Sequence, residues 1–357
     1  MITKEQIETP ALLIDLDIFE QNIRIMADYM KDKKAKLRPH YKTYKCPIIS
    51  HKQINAGAKG VTCATLGEAE TLVLAGINDV LIANQVVDPI KIYRLATLSH
   101  GDAKIAVAVD NMENIADLSA AASKVGSTIY ALVEIDVGAH RCGVNTPEEA
   151  LKLAKEIVRA EGLAFEGLQA YAGQLSHNPD IKERRLGVKK KGIKVERIKT
   201  VLEQNGISVN QISGGGTGTY NITGDNTLWT EIQAGSYVFM DTYYNELKLD
   251  FQNALTILTT VIHKRPGVAI TDGGMKVCSV ENGPPIIKNY SHIRPFKGLS
   301  EEHGLFADDK DELKFKQKIE YIPSHCCTTV NLHDQYYCIR RGILEAIWPI
   351  TGRGKSK

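Results

Sequence analysis

Short apolar runs alternate with amphipathic stretches through the first two-thirds of the chain, and this alternation constrains the fold more than any other feature. Candidate strands fall near 36–41, 60–64, 79–84, 104–110, 128–136, 163–171, 209–214 and 231–240. Helical patterns lie between them. The clearest is 147–161, where Ala150, Leu153, Ala154, Ile157 and Val158 share one face. Thr146 can cap it, Pro147 suits its first position, and Glu149 completes a capping box. Regular βα alternation predicts a parallel sheet with helical crossovers. Eight such units fit a (β/α)8 barrel of the TIM type, with a doubly wound open sheet as the competitor. Periodicity alone does not separate the two.

The pattern changes after about residue 245. ALTILTTVIHKR, PGVAITDGG and QKIEYIP read as strands, and long helical patterns stop. A second, mostly β domain is expected there. The early strand ALLIDLD (11–17) could belong to either domain. Grouped with the later strands, it gives a barrel over 18–245 and a β domain over 1–17 and 246–357.

Composition narrows the function classes. Lys+Arg 44 against Asp+Glu 42 is too balanced to predict nucleic-acid or membrane binding. The basic run RRLGVKKKGIKVERIK (184–199) has no interleaved aromatics and reads as a solvated helix face. No apolar run approaches the ~18 residues of a membrane span. MITKEQIETP carries charges where a signal peptide needs an apolar core. Seven cysteines with no CxxC pair suggest reduced thiols in a cytoplasm.

Three stretches hold residues suited to chemistry. LRPHYKTYKCP (37–47) crowds Arg38, His40, Lys42 and Lys45 at the end of the first barrel strand. In barrels that end carries the active site. An amine among other cations is suited to Schiff-base formation. SGGGTGTY (213–220) follows a strand and offers glycines and hydroxyls that can cradle a phosphate. It lacks both the GK[ST] of a Walker loop and the GxGxxG of a dinucleotide turn. PSHCCTTVNLHD (323–334) places His325 and Cys327 at i and i+2. On an extended segment they would share a face, as a nitrogen and sulfur pair for Zn²⁺. SEEHG (300–304) adds Glu302 and His303 in a polar turn, open to acid–base work.

Taken together, ETPALLIDLD, RPHYKTYK, EIDVGAHRCGV, GLQAYAGQ, SGGGTGTYN, QAGSYVFMD, SEEHG and PSHCCTTVNLHD occur in one order from residue 8 to 334. This set resembles the D-threonine aldolase and D-serine dehydratase family of fold-type III, alanine-racemase-like pyridoxal-phosphate enzymes. The resemblance implies a (β/α)8 barrel followed by a β domain, pyridoxal 5'-phosphate at the barrel mouth, and a homodimer with shared active sites. It implies that Lys42 is the Schiff-base lysine and that Gly216, Thr217 and Gly218 bind the phosphate. Arg141 and Tyr171 match positions near the cofactor ring, and His40, Gln169 and Tyr237 join the cofactor-binding set. His325 and Cys327 match the pair that binds a divalent metal, Zn²⁺ or Mn²⁺. His177 and His303 are the candidate bases near the substrate hydroxyl. Two positions depart from the family pattern: Tyr44 stands where RPHxKTHK has its second His, and the metal pair reads HxC. HxC leans to the dehydratases, whereas GGGTGTY and GSYVFMD resemble the aldolases.

The activity so implied is a lyase acting on D-3-hydroxy amino acids. The aldolase reading gives glycine and an aldehyde. The dehydratase reading, on D-serine or D-3-hydroxyaspartate, gives an oxo acid and ammonia. A racemase would need a second base on the opposite cofactor face and no metal. A non-catalytic cofactor carrier would not need the C-terminal strands or the metal pair.

Overall fold

The computed structural model describes residues 1–357, the side chain of Lys297 apart. In chain order the elements are β1 (Ala11–Asp15), α1 (Leu16–Met30), β2 (Lys36–Leu37), α2 (Pro47–Asn55), β3 (Val61–Cys63), α3 (Leu66–Leu74), β4 (Asp79–Ile82), α4 (Pro89–Leu98) and β5 (Lys104–Val109). There follow α5 (Met112–Val125), β6 (Ile129–Glu134), α6 (Pro147–Arg159), β7 (Leu163–Ala170), α7 (Ile181–Gln204), β8 (Gln211–Gly214), α8 (Tyr220–Thr223), β9 (Glu231–Ile232) and α9 (Thr242–Asn245). The chain ends with β10 (Leu255–Arg265), β11 (Gly267–Thr271), β12 (Ile286–Ile287), β13 (Arg294–Leu299), β14 (Gly304–Asp308), β15 (Lys318–Ile322), α10 (Cys326–Val330), β16 (Gln335–Arg340) and β17 (Ile343–Pro349). It divides into two compact units, one of residues 27–42, 49–235 and 355–357, the other of 1–26, 43–48 and 236–354. Among the described residues no helix is long and apolar enough to cross a membrane.

The first unit is a (β/α)8 barrel. Its parallel strands lie in the order β2-β9-β8-β7-β6-β5-β4-β3. The curled sheet returns on itself through a parallel bridge between His40 and Thr62, where Thr62 N–H donates to Pro39 O at 2.9 Å. The strands read as near-continuous apolar runs because both sheet faces are covered. In β5, Ile105 through Val109 are all buried. The start of α6 is the one the sequence marks: Thr146 and Glu149 form its capping box, and Pro147 sits in its first turn.

A buried ion-pair network fixes the start of the ring. Arg38, just past β2, is 2% exposed and grips Glu231 of β9 through Nε and Nη2, each at 2.9 Å. Its Nη1 also donates to Asp79 Oδ1 at 2.7 Å, and Lys59 reaches Glu231 at 2.8 Å. Burial alone would raise the Glu231 carboxyl, but Arg38 and Lys59 more than offset this and hold it below the ordinary carboxylate range. That stabilisation is present above the unfolded carboxyl's pKa and is lost as pH falls through the lower folded value. Glu231→Gln leaves the guanidinium half-paired in the interior and is expected to cost about 3–5 kcal/mol. Urea unfolding of both forms at neutral and acid pH checks this, because the gap between them should narrow in acid.

The second unit is a β domain. Its main sheet runs β13-β14-β11-β10-β1-β16-β17, with β15 branching from β10 and β12 pairing β15. The early strand belongs here: β1 pairs antiparallel with β10 (Ala11↔Leu258) and parallel with β16 (Leu13↔Tyr337). Ile7, Ala11, Leu13, Leu258 and Ile339 form one buried cluster. Phe19 packs against Phe239 and Trp348, with ring centroids at 6.2 and 5.9 Å.

Two expectations change. The strand expected over 231–240 ends at Ile232. The Ser236 carbonyl accepts from the Phe239 and Met240 amides, closing a turn, so VFM is a buried turn and not a ladder. An apolar run alone cannot distinguish the two. The expected extended segment at 325–327 is instead the start of α10.

Candidate active site

The barrel unit gathers most of the sequence-derived residues at the C-terminal ends of its strands, where barrel active sites form. Lys42 lies in a 3-10 turn, Tyr41–Thr43, just beyond β2. Its backbone N–H donates to His40 Nδ1 at 3.4 Å, so the His40 ring helps set this turn. Lys42 Nζ lies 5.9 Å from the centroid of the Tyr171 ring, which follows β7 directly. Gln169, the penultimate residue of β7, is buried and accepts from Gln233 Nε2 at 2.8 Å; Gln233 also donates to Ser213. Arg141 is exposed on the loop after β6. Its charge acts on the buried Glu134 carboxyl, whose pKa burial raises overall.

The phosphate-type turn follows β8. Gly215 adopts φ +68°, in the left-handed region that favours glycine. A Cβ on Gly216 would sit 2.8 Å from Ser176 Oγ and 3.3 Å from the Tyr171 ring. Thr217 and Gly218 continue into a 3-10 turn, and Gly216 N–H donates to Thr219 Oγ1. Ser176 Oγ is fully buried without a hydrogen-bond partner. A glycine cradle facing an orphaned hydroxyl beside a lysine fits a phosphorylated carbonyl cofactor. His177 follows Ser176 and is half-buried.

The β domain holds the metal-type cluster. The ligand atoms of His325, Cys326 and Cys327 lie within 4.8 Å of one another. His325 precedes α10 in extended conformation, and Cys327 is in its first turn. The pair therefore converges through a strand-to-helix corner, not through strand alternation. Asp241, fully buried, organises the corner: its Oδ2 accepts from Cys326 N–H at 2.9 Å and lies 3.3 Å from His325 Nδ1, while Oδ1 caps α9. Cys327 Sγ lies 3.3 Å from Thr43 Oγ1 and 3.8 Å from Ser236 Oγ. Burial lowers the His325 pKa, but hydrogen bonds to Asp241 and Cys327 overcome it and push the value up to about 11. Complete burial pushes the Cys326 thiol well up, whereas the Cys327 sulfur is only partly buried. One nitrogen and one sulfur with positions to spare fit an open, catalytic Zn²⁺ or a related divalent ion.

Two other expected residues sit in the β domain. Tyr237 is buried against Phe251, with centroids at 5.4 Å. His303 is exposed in the hairpin turn between β13 and β14, where its carbonyl accepts from Ser300 N–H. Sequence reasoning missed Asp241, Ser176 and Arg184. Arg184 was read as part of a solvated face, yet it is 2% exposed and donates from Nη1 to Gly218 O at 2.5 Å. Its spacing from Val188 and Val195, on the buried face of α7, was the available signal.

Comparison with known proteins agrees with this geometry. Residues 14–243 match the family profile "Alanine racemase, N-terminal domain", and 254–339 match "Putative serine dehydratase domain". The chain is 39% identical to the 3-hydroxy-D-aspartate aldolase of Paracoccus denitrificans (strain Pd 1222), over 99% of this chain and 94% of that one. It is 37% identical to a D-threonine aldolase of Arthrobacter sp, again over 99% and 94%. The crystal structure of D-threonine aldolase from Filomicrobium marinum superposes with a TM-score of 0.96 at 38% identity, covering 99% of this chain and 98% of that one. Barrel, β domain and near-complete similarity together show that the chain belongs to the alanine-racemase-like, fold-type III family of pyridoxal-phosphate enzymes.

Proposed function

We propose that this protein is a pyridoxal-phosphate- and divalent-metal-dependent lyase that cleaves D-3-hydroxy amino acids by a retro-aldol reaction, releasing glycine and an aldehyde. The observation that carries the reading is the near full-length similarity to two curated aldolases of this substrate class. The His325–Cys327 corner supports it by offering a metal site, for which a racemase has no need.

Pyridoxal phosphate, when bound, supplies the electron sink for the carbanion left at Cα. Lys42 holds it through Nζ, with His40 setting the lysine's turn and Tyr171 beside the amine. The turn at Gly216, Thr217 and Gly218 receives the phosphate. Arg141 is assigned to the ring side, with Gln169 and Tyr237 completing the surroundings. His325 and Cys327 would hold Zn²⁺ or Mn²⁺, whose Lewis acidity lowers the pKa of the substrate 3-hydroxyl. His177, half-buried beside the phosphate turn, takes the hydroxyl proton as the Cα–Cβ bond breaks. His303 is too exposed in this chain to exclude water from a reaction, and acts only if a partner copy covers it. The reading includes a homodimer with shared sites and a cytoplasmic setting, in which the seven free cysteines stay reduced.

Cys327 favours one second reading. A softer metal ligand leans to a dehydratase, in which Lys42 would remove the Cα proton, the Cβ–O bond would break with loss of water, and the released enamine would hydrolyse to an oxo acid and ammonia. Product analysis separates the two. Purified protein with pyridoxal phosphate and Mn²⁺ or Zn²⁺ is given D-threonine, D-serine or D-3-hydroxyaspartate, with and without EDTA. Glycine plus an aldehyde, lost with EDTA, is the expected outcome. Ammonia plus an oxo acid would replace the aldolase with the dehydratase.

A further inference from the structure

Two arginines are buried to the same extent in the barrel unit, and their surroundings differ. Arg38 is 2% exposed and answered by two carboxylates, Glu231 and Asp79. Arg184 is also 2% exposed, but among the described residues no carboxylate makes an ion pair with it; Asp180, at the start of its helix, acts on it only at longer range. The lysine–glutamate pairs of its helix lie turns away, where Lys199 meets Glu196 and Glu203. Arg184 Nη1 donates to Gly218 O at 2.5 Å, and its Nε is buried with no partner. Burying a guanidinium without a counter-charge is costly unless a ligand supplies one. Desolvation lowers the Arg184 pKa, with Asp180 only partly opposing it, whereas the acids around Arg38 raise its own.

The position of this cation says which anion would answer it. Gly218 belongs to the turn after β8. On the same turn, Gly216 leaves the space that Ser176 Oγ borders, and that hydroxyl is also buried and unpartnered. Two buried donors with unfilled capacity therefore flank one glycine turn. Their shared complement is a compact dianion with several acceptor oxygens. We infer that Arg184 is the buried counter-charge of the cofactor's phosphate, fixing the Gly218 turn from behind and making this barrel select the phosphorylated cofactor over its dephosphorylated form. The inference rests on the cofactor reading above and adds a residue and a selectivity to it.

The test uses full-length protein stripped of cofactor, as wild type, Arg184→Met and Arg184→Lys. Pyridoxal phosphate and pyridoxal are titrated by visible absorbance, and melting is followed with each and with inorganic phosphate. Arg184→Met is expected to weaken pyridoxal phosphate about 100-fold while changing pyridoxal less than about threefold. Arg184→Lys should recover at least about tenfold of that loss by restoring the charge without the fork. Without cofactor, Arg184→Met should melt no lower than wild type, because an apolar side chain has no charge to bury. Its upshift on adding pyridoxal phosphate should shrink. Inorganic phosphate should stabilise the stripped wild type in competition with pyridoxal phosphate. Equal weakening of both cofactor forms, with a lower melt in the stripped variant and an unchanged upshift, would assign Arg184 a structural role only. Stabilisation by inorganic phosphate without competition would place the anion elsewhere and also overturn the inference. If wild type binds neither cofactor form, the cofactor reading falls with it; if it binds pyridoxal phosphate and Arg184→Met still discriminates as wild type does, this inference alone falls.

Discussion

Lys42→Ala is expected to abolish the visible absorption band of lysine-linked pyridoxal phosphate and to lower turnover of a D-3-hydroxy amino acid on the order of 10⁴-fold or more. The size of the effect follows from the number of tasks on one nitrogen. On the proposed reading Lys42 Nζ would hold the cofactor and would also be the amine within reach for proton transfer. Removing it deletes covalent binding and proton transfer together, and residues that act as one unit do not lose function additively. Lys42→Arg separates charge from chemistry: it keeps a cation in the turn after β2 but cannot form the linkage, so its loss should match that of the alanine variant. The alternative lysine is close in sequence. Lys45 is buried with φ +48°, and its Nζ points toward Gly352 O at 3.4 Å. Retention of the band in Lys42→Ala would move the linkage to Lys45 and remove the central assignment of the site.

The fold was legible where a rule of period applies. Parallel strands covered on both faces leave unbroken apolar runs, so the barrel strands through β8 stand within a few residues of their expected positions. The β domain was legible only in its strongest strands. β16 mixes Gln335, Tyr336, Tyr337, Cys338 and Arg340, a run that shows no clean alternation although Tyr336 and Cys338 are buried. The assignment of ALLID to this domain could not come from its own residues, because its partners, β10 and β16, lie more than two hundred positions away. The site shows the same limit. Lys42, Gly216 and the His325–Cys327 pair sit in compact motifs. Asp241 orients His325 across 84 positions, and Arg184 reaches Gly218 across 34. Supporting residues act through tertiary contacts, so a single sequence marks them only when they break a pattern. Arg184 did break one, as a charge on the buried face of α7.

Cys327→Ala should empty the metal site and with it most of the activity. Wild type is expected to retain about one divalent ion per chain after dialysis, and the variant close to none. Turnover at fixed metal should fall on the order of 10³-fold, since ionisation of the substrate hydroxyl then lacks a Lewis acid worth several kcal/mol. His325→Ala should do the same from the nitrogen side. Asp241→Asn is milder: it leaves both donors but loosens the ring that Asp241 holds at 3.3 Å, and a 10–100-fold loss of metal affinity is the usual scale for such a partner. Cys326→Ser should spare metal binding, because the Cys326 thiol is fully buried and held protonated while Cys327 lies at the half-exposed corner. Cys327→Asp tests the chemistry of the donor. A carboxylate in place of the thiolate should keep the ion but shift preference from Zn²⁺ toward Mn²⁺, the harder cation. Metal content by elemental analysis, read beside turnover across this series, decides the matter. Full metal content and full activity in both Cys327→Ala and His325→Ala would detach the corner from catalysis and leave the barrel-mouth residues to ionise the hydroxyl unaided.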